Sequence, residues 1–197
     1  MSEETTDLDE RLAAALERVG EALRVQLWDA AKRHGLTPTQ LQVLLRLNAD
    51  PPELRRVGAL AARLDVTHPT ASDALAALRR KGLVERVHEG HRSPLRLTER
   101  GRAMADGLEG WQLRTCDGLA RLPAEDKEAT LRLLFELIAG FQREGTITIA
   151  RMCATCRHFR PRQHPGERRA HHCALLDLPL AEAELRLDCP EHELAAA

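Results

Sequence analysis

The sequence predicts a mainly α-helical chain with one small β-hairpin near its middle and a short cysteine-rich segment at its C-terminal end. Three observations predict this. Apolar residues recur at spacings of three and four over most of residues 6–143, a single central stretch alternates instead, and four of the five cysteines lie beyond residue 146. The 197 residues are 43% hydrophobic, which excludes general disorder, and only 3% aromatic, so the core must be aliphatic.

In the first helix, from about residue 6 to 34, Leu8, Leu12, Leu16, Val19, Leu23, Leu27 and Ala30 form one stripe. Val57, Leu60, Ala61 and Leu64 carry a short helix that Asp65-Val66 breaks. Thr67 suits the cap of the next helix, and Pro69 is tolerated in its first turn, where backbone N–H groups lack intrahelical partners anyway. This helix runs from about His68 to Lys81, with Ala71, Leu75 and Leu78 facing inward. That turns His68, Pro69, Thr70, Ser72 and Asp73 outward or to the flanks, followed a turn later by Ala76 and Arg79. Arg79, Arg80 and Lys81 meet the negative end of the helix, and Gly82 takes the position after it. Leu83 to Val87 then alternates as a strand, Glu89-Gly90 turns, and Leu95-Arg96-Leu97 alternates back. Thr98 starts another helix, which carries Met104, Leu108, Trp111 and Leu119 but has Gly107, Gly110 and Gly118 along it. Pro123-Ala124-Glu125-Asp126 opens a last helix striped by Leu131, Leu134, Leu137, Ile138 and Phe141.

Two short helices, a hairpin and a helix start over residues 56–102 make a module that can read DNA. Small hydroxyls at the exposed start of the second helix suit a major groove, where Ser and Thr bond base edges or phosphates. Charge agrees, because residues 53–102 carry eleven Arg and Lys against six Asp and Glu, while the whole chain has a net charge of -1. A helix pair with a hairpin can also be a protein-interaction module, and that alternative predicts no such basic bias.

The segments Leu36-Thr37-Pro38-Thr39-Gln40-Leu41-Gln42-Val43-Leu44, Lys81-Gly82-Leu83-Val84-Glu85-Arg86 and Leu97-Thr98-Glu99-Arg100-Gly101 resemble the MarR family of bacterial transcription regulators over about residues 8–144. The resemblance implies a winged helix-turn-helix flanked by dimerisation helices. Residues 1–35 and 103–145 would dimerise the chain, and 36–102 would bind DNA. It further implies a homodimer whose small-molecule effector is held between the dimer helices and the winged module, and the reading that follows is a repressor on a palindromic double-stranded operator, relieved by a small-molecule or redox signal. A dyad also makes physical sense, since one small module buries too little DNA for tight specific binding. Phosphate contacts then fall to Arg79, Arg80 and Arg96, base reading to His68, Thr70 and Ser72, with Pro69 and Asp73 on the same DNA-binding face, and minor-groove entry to Arg92. The tip Glu89-Gly90-His91-Arg92-Ser93 departs from the family's usual acidic residue followed by arginines.

Residues 146–197 change character. A strand-like run over 146–151 leads into Cys153-Ala154-Thr155-Cys156, followed by His171-His172-Cys173 and Cys189-Pro190-Glu191-His192. A C-x2-C pair lets two thiolates approach one ion from a single loop, so the segment predicts a small metal-bound unit. Cys153, Cys156, Cys173 and Cys189 form the preferred ligand set. His192 in place of Cys173 is the competing one, with His171 and His172 as further ligands or supporting donors. Structural Zn2+ and an iron-sulfur cluster both suit four thiolates, and the cluster would make the tail the sensor of a metal or redox signal.

Cys116, alone on a helix, reads as a packing residue. The N-terminus has no apolar run like a signal peptide, and no stretch is apolar enough to cross a membrane, which together predict a cytoplasmic protein, nucleoid-associated when on DNA. No acid-base pair stands beside an open metal position, so the sequence does not predict an enzyme.

Overall fold

The computed structural model describes residues 3–87, 94–108, 110–147 and 151–195, with side chains from residue 7 onward. It contains α1 (Glu3–Arg33), α2 (Pro38–Ala49), α3 (Val57–Arg63), α4 (His68–Arg80), β1 (Val84–Arg86), β2 (Leu95–Leu97), α5 (Glu99–Leu108), α6 (Leu113–Ala120), α7 (Ala124–Arg143), β3 (Phe159–Arg160), β4 (His171–Cys173) and β5 (Leu178–Leu180). Single 3-10 turns lie at Pro52–Leu54, Cys153–Thr155 and Glu182–Glu184. The chain divides into two compact units, one of Met1–Val57 with Pro69–Ala120, the other of Gly58–His68 with Arg121–Ala197.

In the first unit α2 is the central element and packs on α1, β2 and α5. Thr37 caps it with a reciprocal capping box to Gln40, and Pro38 sits where no N–H is needed. Leu41, Val43, Leu44 and Leu47 of α2 are buried with Leu75 and Leu78 of α4, Leu83, Val84, Leu95 and Leu97 of the hairpin, and Ala105 and Leu108 of α5. This core is aliphatic throughout, as the composition requires.

Local chemistry fixes the ends of these elements. Gly35 (φ 63°) closes α1, with Leu36 N–H donating to Ala31 O and Gly35 N–H to Lys32 O, and Gly82 (φ 67°) closes α4 in the same way onto Leu78 and Arg79. Thr98 joins the hairpin to α5: its hydroxyl donates to Gly82 O at 2.8 Å and accepts from Gly101 N–H at 3.0 Å. Gly101 is required there, because a Cβ would lie 1.9 Å from Leu83 O. The strands pair antiparallel in the register Val84 with Leu97, Glu85 with Arg96, and Arg86 with Leu95. Leu95 N–H also donates to Arg55 O at 2.8 Å, a third extended contact with no strand pattern to announce it.

The single helix expected after the hairpin is two helices. α5 ends at Leu108 and α6 begins at Leu113, with Gly110 at φ 92°, a conformation a continuing helix does not contain.

In the second unit, α7 packs on both 3-10 turns of the C-terminal segment. Phe135, Met152 and Cys153 form a small core, with Leu131, Ile138, Ile147, Phe159 and Leu185 against it. The strand expected over 146–151 is absent at 146, 147 and 151, and 148–150 lie outside the described residues. The tail instead builds a three-stranded antiparallel sheet in the order β3-β4-β5. Among the described residues no helix is long and apolar enough to cross a membrane.

Candidate functional site

Helix α4 presents the residues expected to read bases. Ala71, Ala74, Leu75 and Leu78 are buried, while His68, Pro69, Thr70, Ser72, Asp73, Arg79 and Arg80 are exposed. The buried residues recur at spacings of three and four, which leaves Ser72 and Asp73 on the outer face and Ala76 and Ala77 half-buried at its flanks. The last turn of α4 and strand β1 then enclose an open cleft of about 800 Å3, lined by Ala76, Arg79, Arg80, Val84, Glu85, Arg86 and Val87.

Three arginines against one carboxylate give this cleft a positive field, and the carboxylate is itself engaged. Glu85 faces Arg96 across the hairpin, with Arg96 Nε donating to Glu85 Oε1 at 2.8 Å. Arg96, expected on a phosphate, is therefore also a cross-strand partner. Lys81, grouped by sequence with Arg79 and Arg80, turns elsewhere: its ammonium donates to Gly35 O at 2.6 Å and to Gln40 Oε1 at 3.0 Å. Arg86 joins the cleft wall, a position the strand alternation alone did not mark for function. Arg92 and the rest of the hairpin tip lie outside the described residues.

The C-terminal thiols come from three places. Cys153 and Cys156 flank a 3-10 turn, Cys173 ends β4 opposite Phe159, and Cys189 sits in the turn whose carbonyl accepts from His192 N–H. All four line one pocket of about 60 Å3, walled otherwise by Phe159, Leu176, Leu178, Leu180 and Arg186. All are free thiols, as is the exposed Cys116, which is therefore not the packing residue expected. Among the described residues no three His, Cys, Asp or Glu side chains already stand in ion-gripping geometry.

Burial pushes the Cys153 thiol above its ordinary range, against the opposing effect of the Arg186 N–H, which donates to its sulfur at 3.2 Å. Burial also raises Cys189, which donates to Glu191 Oε2 at 3.3 Å and accepts from the Arg186 guanidinium at 3.6 Å. Arg186 was missed from the sequence, although its place three residues before Cys189 is the signal that could have found it.

The candidate histidines are held by other groups. His192 Nε2 lies 2.9 Å from Thr155 Oγ1, His171 Nε2 lies 3.2 Å from Glu182 Oε1, and His172 lies between Asp177 at 3.2 Å and His164 at 3.3 Å. None of the three lines the thiol pocket.

Short helices, a two-stranded antiparallel hairpin and a basic cleft between α4 and β1 are the parts of a winged helix. The MarR family model matches residues 34–92. A MarR family protein of Mycobacterium tuberculosis is 32% identical, with 66% of this chain and 95% of that one covered and a TM-score of 0.51. A structure of a protein of the same description in complex with p-aminosalicylic acid is 35% identical, with coverage of 64% and 97% and a TM-score of 0.50. The complex of MepR from S. aureus with DNA, 19% identical with coverage of 66% and 98% and a TM-score of 0.58, shares the fold. None of the curated proteins compared with the chain matches it. The chain belongs to the MarR family of winged-helix transcription regulators.

Proposed function

We propose that the protein is a homodimeric repressor that binds a palindromic double-stranded DNA operator and is released by a small-molecule or redox signal. The observation that carries this reading is the basic cleft of Arg79, Arg80 and Arg86 beside an α4 whose outer face is small and polar. Arginines at the edge of a reading helix clamp phosphates, and that contact sets the register in which the helix meets base edges. Thr70, Ser72 and His68 then read the major groove beside Pro69, with Asp73 suited to accept from a cytosine amino group. Arg79, Arg80 and Arg96 hold the backbone, and Arg92 enters the minor groove.

Dimerisation is supported by α1, where Leu8, Leu12, Leu16 and Val19 of the expected stripe are all more than 40% exposed in a single chain. The structure of a DNA complex for one fold relative and of a p-aminosalicylic acid complex for another supports, by analogy, a DNA partner and a small-molecule effector. A cytoplasmic location, at the nucleoid when DNA is bound, follows from this role. A second reading, in which the tail senses a metal or redox signal, is favoured by the gathering of four thiols around one pocket.

Selection from a randomised duplex pool, followed by affinity measurement over a salt series, tests the proposal. An enriched inverted repeat is expected, with half-sites about one helical turn apart. Arg79→Ala and Arg80→Ala should each weaken binding to every enriched sequence and reduce the salt slope by about 1. Failure to enrich any sequence, or binding indifferent to salt, would reject it in favour of a protein-interaction module.

A further inference from the structure

The geometry points to a four-thiolate site for one thiophilic divalent cation, Zn2+, held by Cys153, Cys156, Cys173 and Cys189 and coupled to α3 through Asp188 and Arg63. The site is not in the part of the chain that matches the MarR family model.

The first ground is the company the thiols keep. Three segments with 16 and 15 residues between their cysteines bring four sulfurs to a pocket whose other walls are Phe159, three leucines and the Arg186 side chain. Four soft donors in a largely apolar pocket suit a zinc-type ion and offer nothing to a magnesium- or calcium-type ion, which takes oxygen. The pocket, of about 60 Å3, is small and has room for a single ion.

The second ground closes the choice of ligands. His192, the rival to Cys173, is engaged with Thr155, while His171 and His172 are engaged with Glu182 and Asp177. Each histidine braces the loop or strand beside a cysteine and leaves the pocket to sulfur. Donors for the anionic centre are already in place, since Arg186 N–H meets Cys153 and the Arg186 guanidinium meets Cys189. The ion itself must draw the thiolates inward. Binding releases the thiol protons to solvent and displaces the Cys189 to Glu191 hydrogen bond.

The third ground gives the site an effect beyond the tail. Asp188, next to ligand Cys189, accepts from Arg63 Nη2 at 2.5 Å, and the Arg63 side chain is only 5% exposed. Arg63 ends α3, the first helix of the helix pair, and both partners belong to the same compact unit. Ion binding fixes the turn that carries Cys189, and the ion pair passes that constraint to the end of α3.

The test uses the full-length chain, purified anaerobically and assayed for zinc, iron and sulfide. One zinc per chain is expected, and Co2+ added to chelator-stripped protein should give thiolate-to-cobalt charge transfer and the visible bands of a tetrahedral site. His192→Ala should keep full stoichiometry, whereas Cys173→Ser should lose it. Amide exchange across residues 58–63 should accelerate at least tenfold when zinc is removed. Asp188→Asn should retain zinc yet show fast exchange with or without it. Iron with sulfide, no binding of either ion, zinc kept by Cys173→Ser and lost by His192→Ala, or α3 exchange indifferent to zinc would each overturn the inference. None of these readouts uses DNA, so its failure is separate from failure of the operator reading.

Discussion

Gly101 shows how much a single position can carry. It lets α5 start directly against the backbone of Leu83, and with a Cβ 1.9 Å from a carbonyl oxygen no rotamer relieves the clash. Gly101→Ala should therefore destabilise the chain by about 1–3 kcal/mol, the range for overpacked sites, measurable as a lower urea midpoint at unchanged slope. Gly107→Ala, where a Cβ would meet nothing within 4 Å, is the control and should be neutral or slightly stabilising. The sequence offered Gly101 only as part of a motif, because a close approach by a residue 18 positions away leaves no periodic trace. The exposed residues of α4 were legible for the opposite reason: the buried positions recur at spacings of three and four, so the direction of each remaining residue follows from helix geometry alone. The partners of Lys81 and Arg96 were not legible, since a cationic side chain several bonds long is placed by whatever acceptor the fold brings within reach.

At the scale of elements, α7 illustrates a helix with two apolar faces. Leu131, Phe135 and Ile138 pack on the tail, while Leu133 and Phe141 remain 44% exposed. The sequence stripe of Leu131, Leu134, Leu137, Ile138 and Phe141 merged the two and omitted Phe135, the most buried residue of the helix. Periodicity reports that an apolar face exists, and a helix serving two neighbours yields a stripe too wide to assign. Phe135→Ala should cost about 3–5 kcal/mol in the second unit and expose Met152 to oxidation, seen as faster sulfoxide formation by mass spectrometry. For α1, Leu12→Glu and Leu16→Glu place charge on the exposed stripe and should convert a dimer to monomer in sedimentation velocity, with far-UV helicity largely retained. The three short strands of the tail escaped sequence reading because two to three residues are too few to show alternation.

At the scale of the whole molecule, the chain joins a reading head built on an aliphatic core to a tail whose own core is small and whose thiols share one pocket. If the constraint carried by the Asp188–Arg63 pair also bears on the DNA-bound form, zinc and DNA affinities are linked, and each must alter the other by the same factor. Chelator-stripped protein should bind the selected duplex about 5-fold or more weaker than the zinc form, at the lower end of typical couplings, and Asp188→Asn should erase the difference. The winged module was legible as a whole because each of its pieces has a local signal. The pairing of Asp188 with Arg63 was not, since the two are 125 positions apart and no local pattern joins them.

The bond from Lys81 to the Gly35 carbonyl has a mechanical consequence. It ties the residue after α4 to the corner where α1 hands over to α2, so if the chain dimerises through α1 as proposed, that corner would act as the pivot of a lever with α1 as its long arm. A small rotation of α1 against a partner copy would then swing α4, and the distance between two reading helices on a duplex would be geared to the pitch of the dimer. Lys81→Met would disengage that gear. Its loss should be visible as tolerance of altered half-site spacing in the selected duplexes, more than as a change in which bases are preferred.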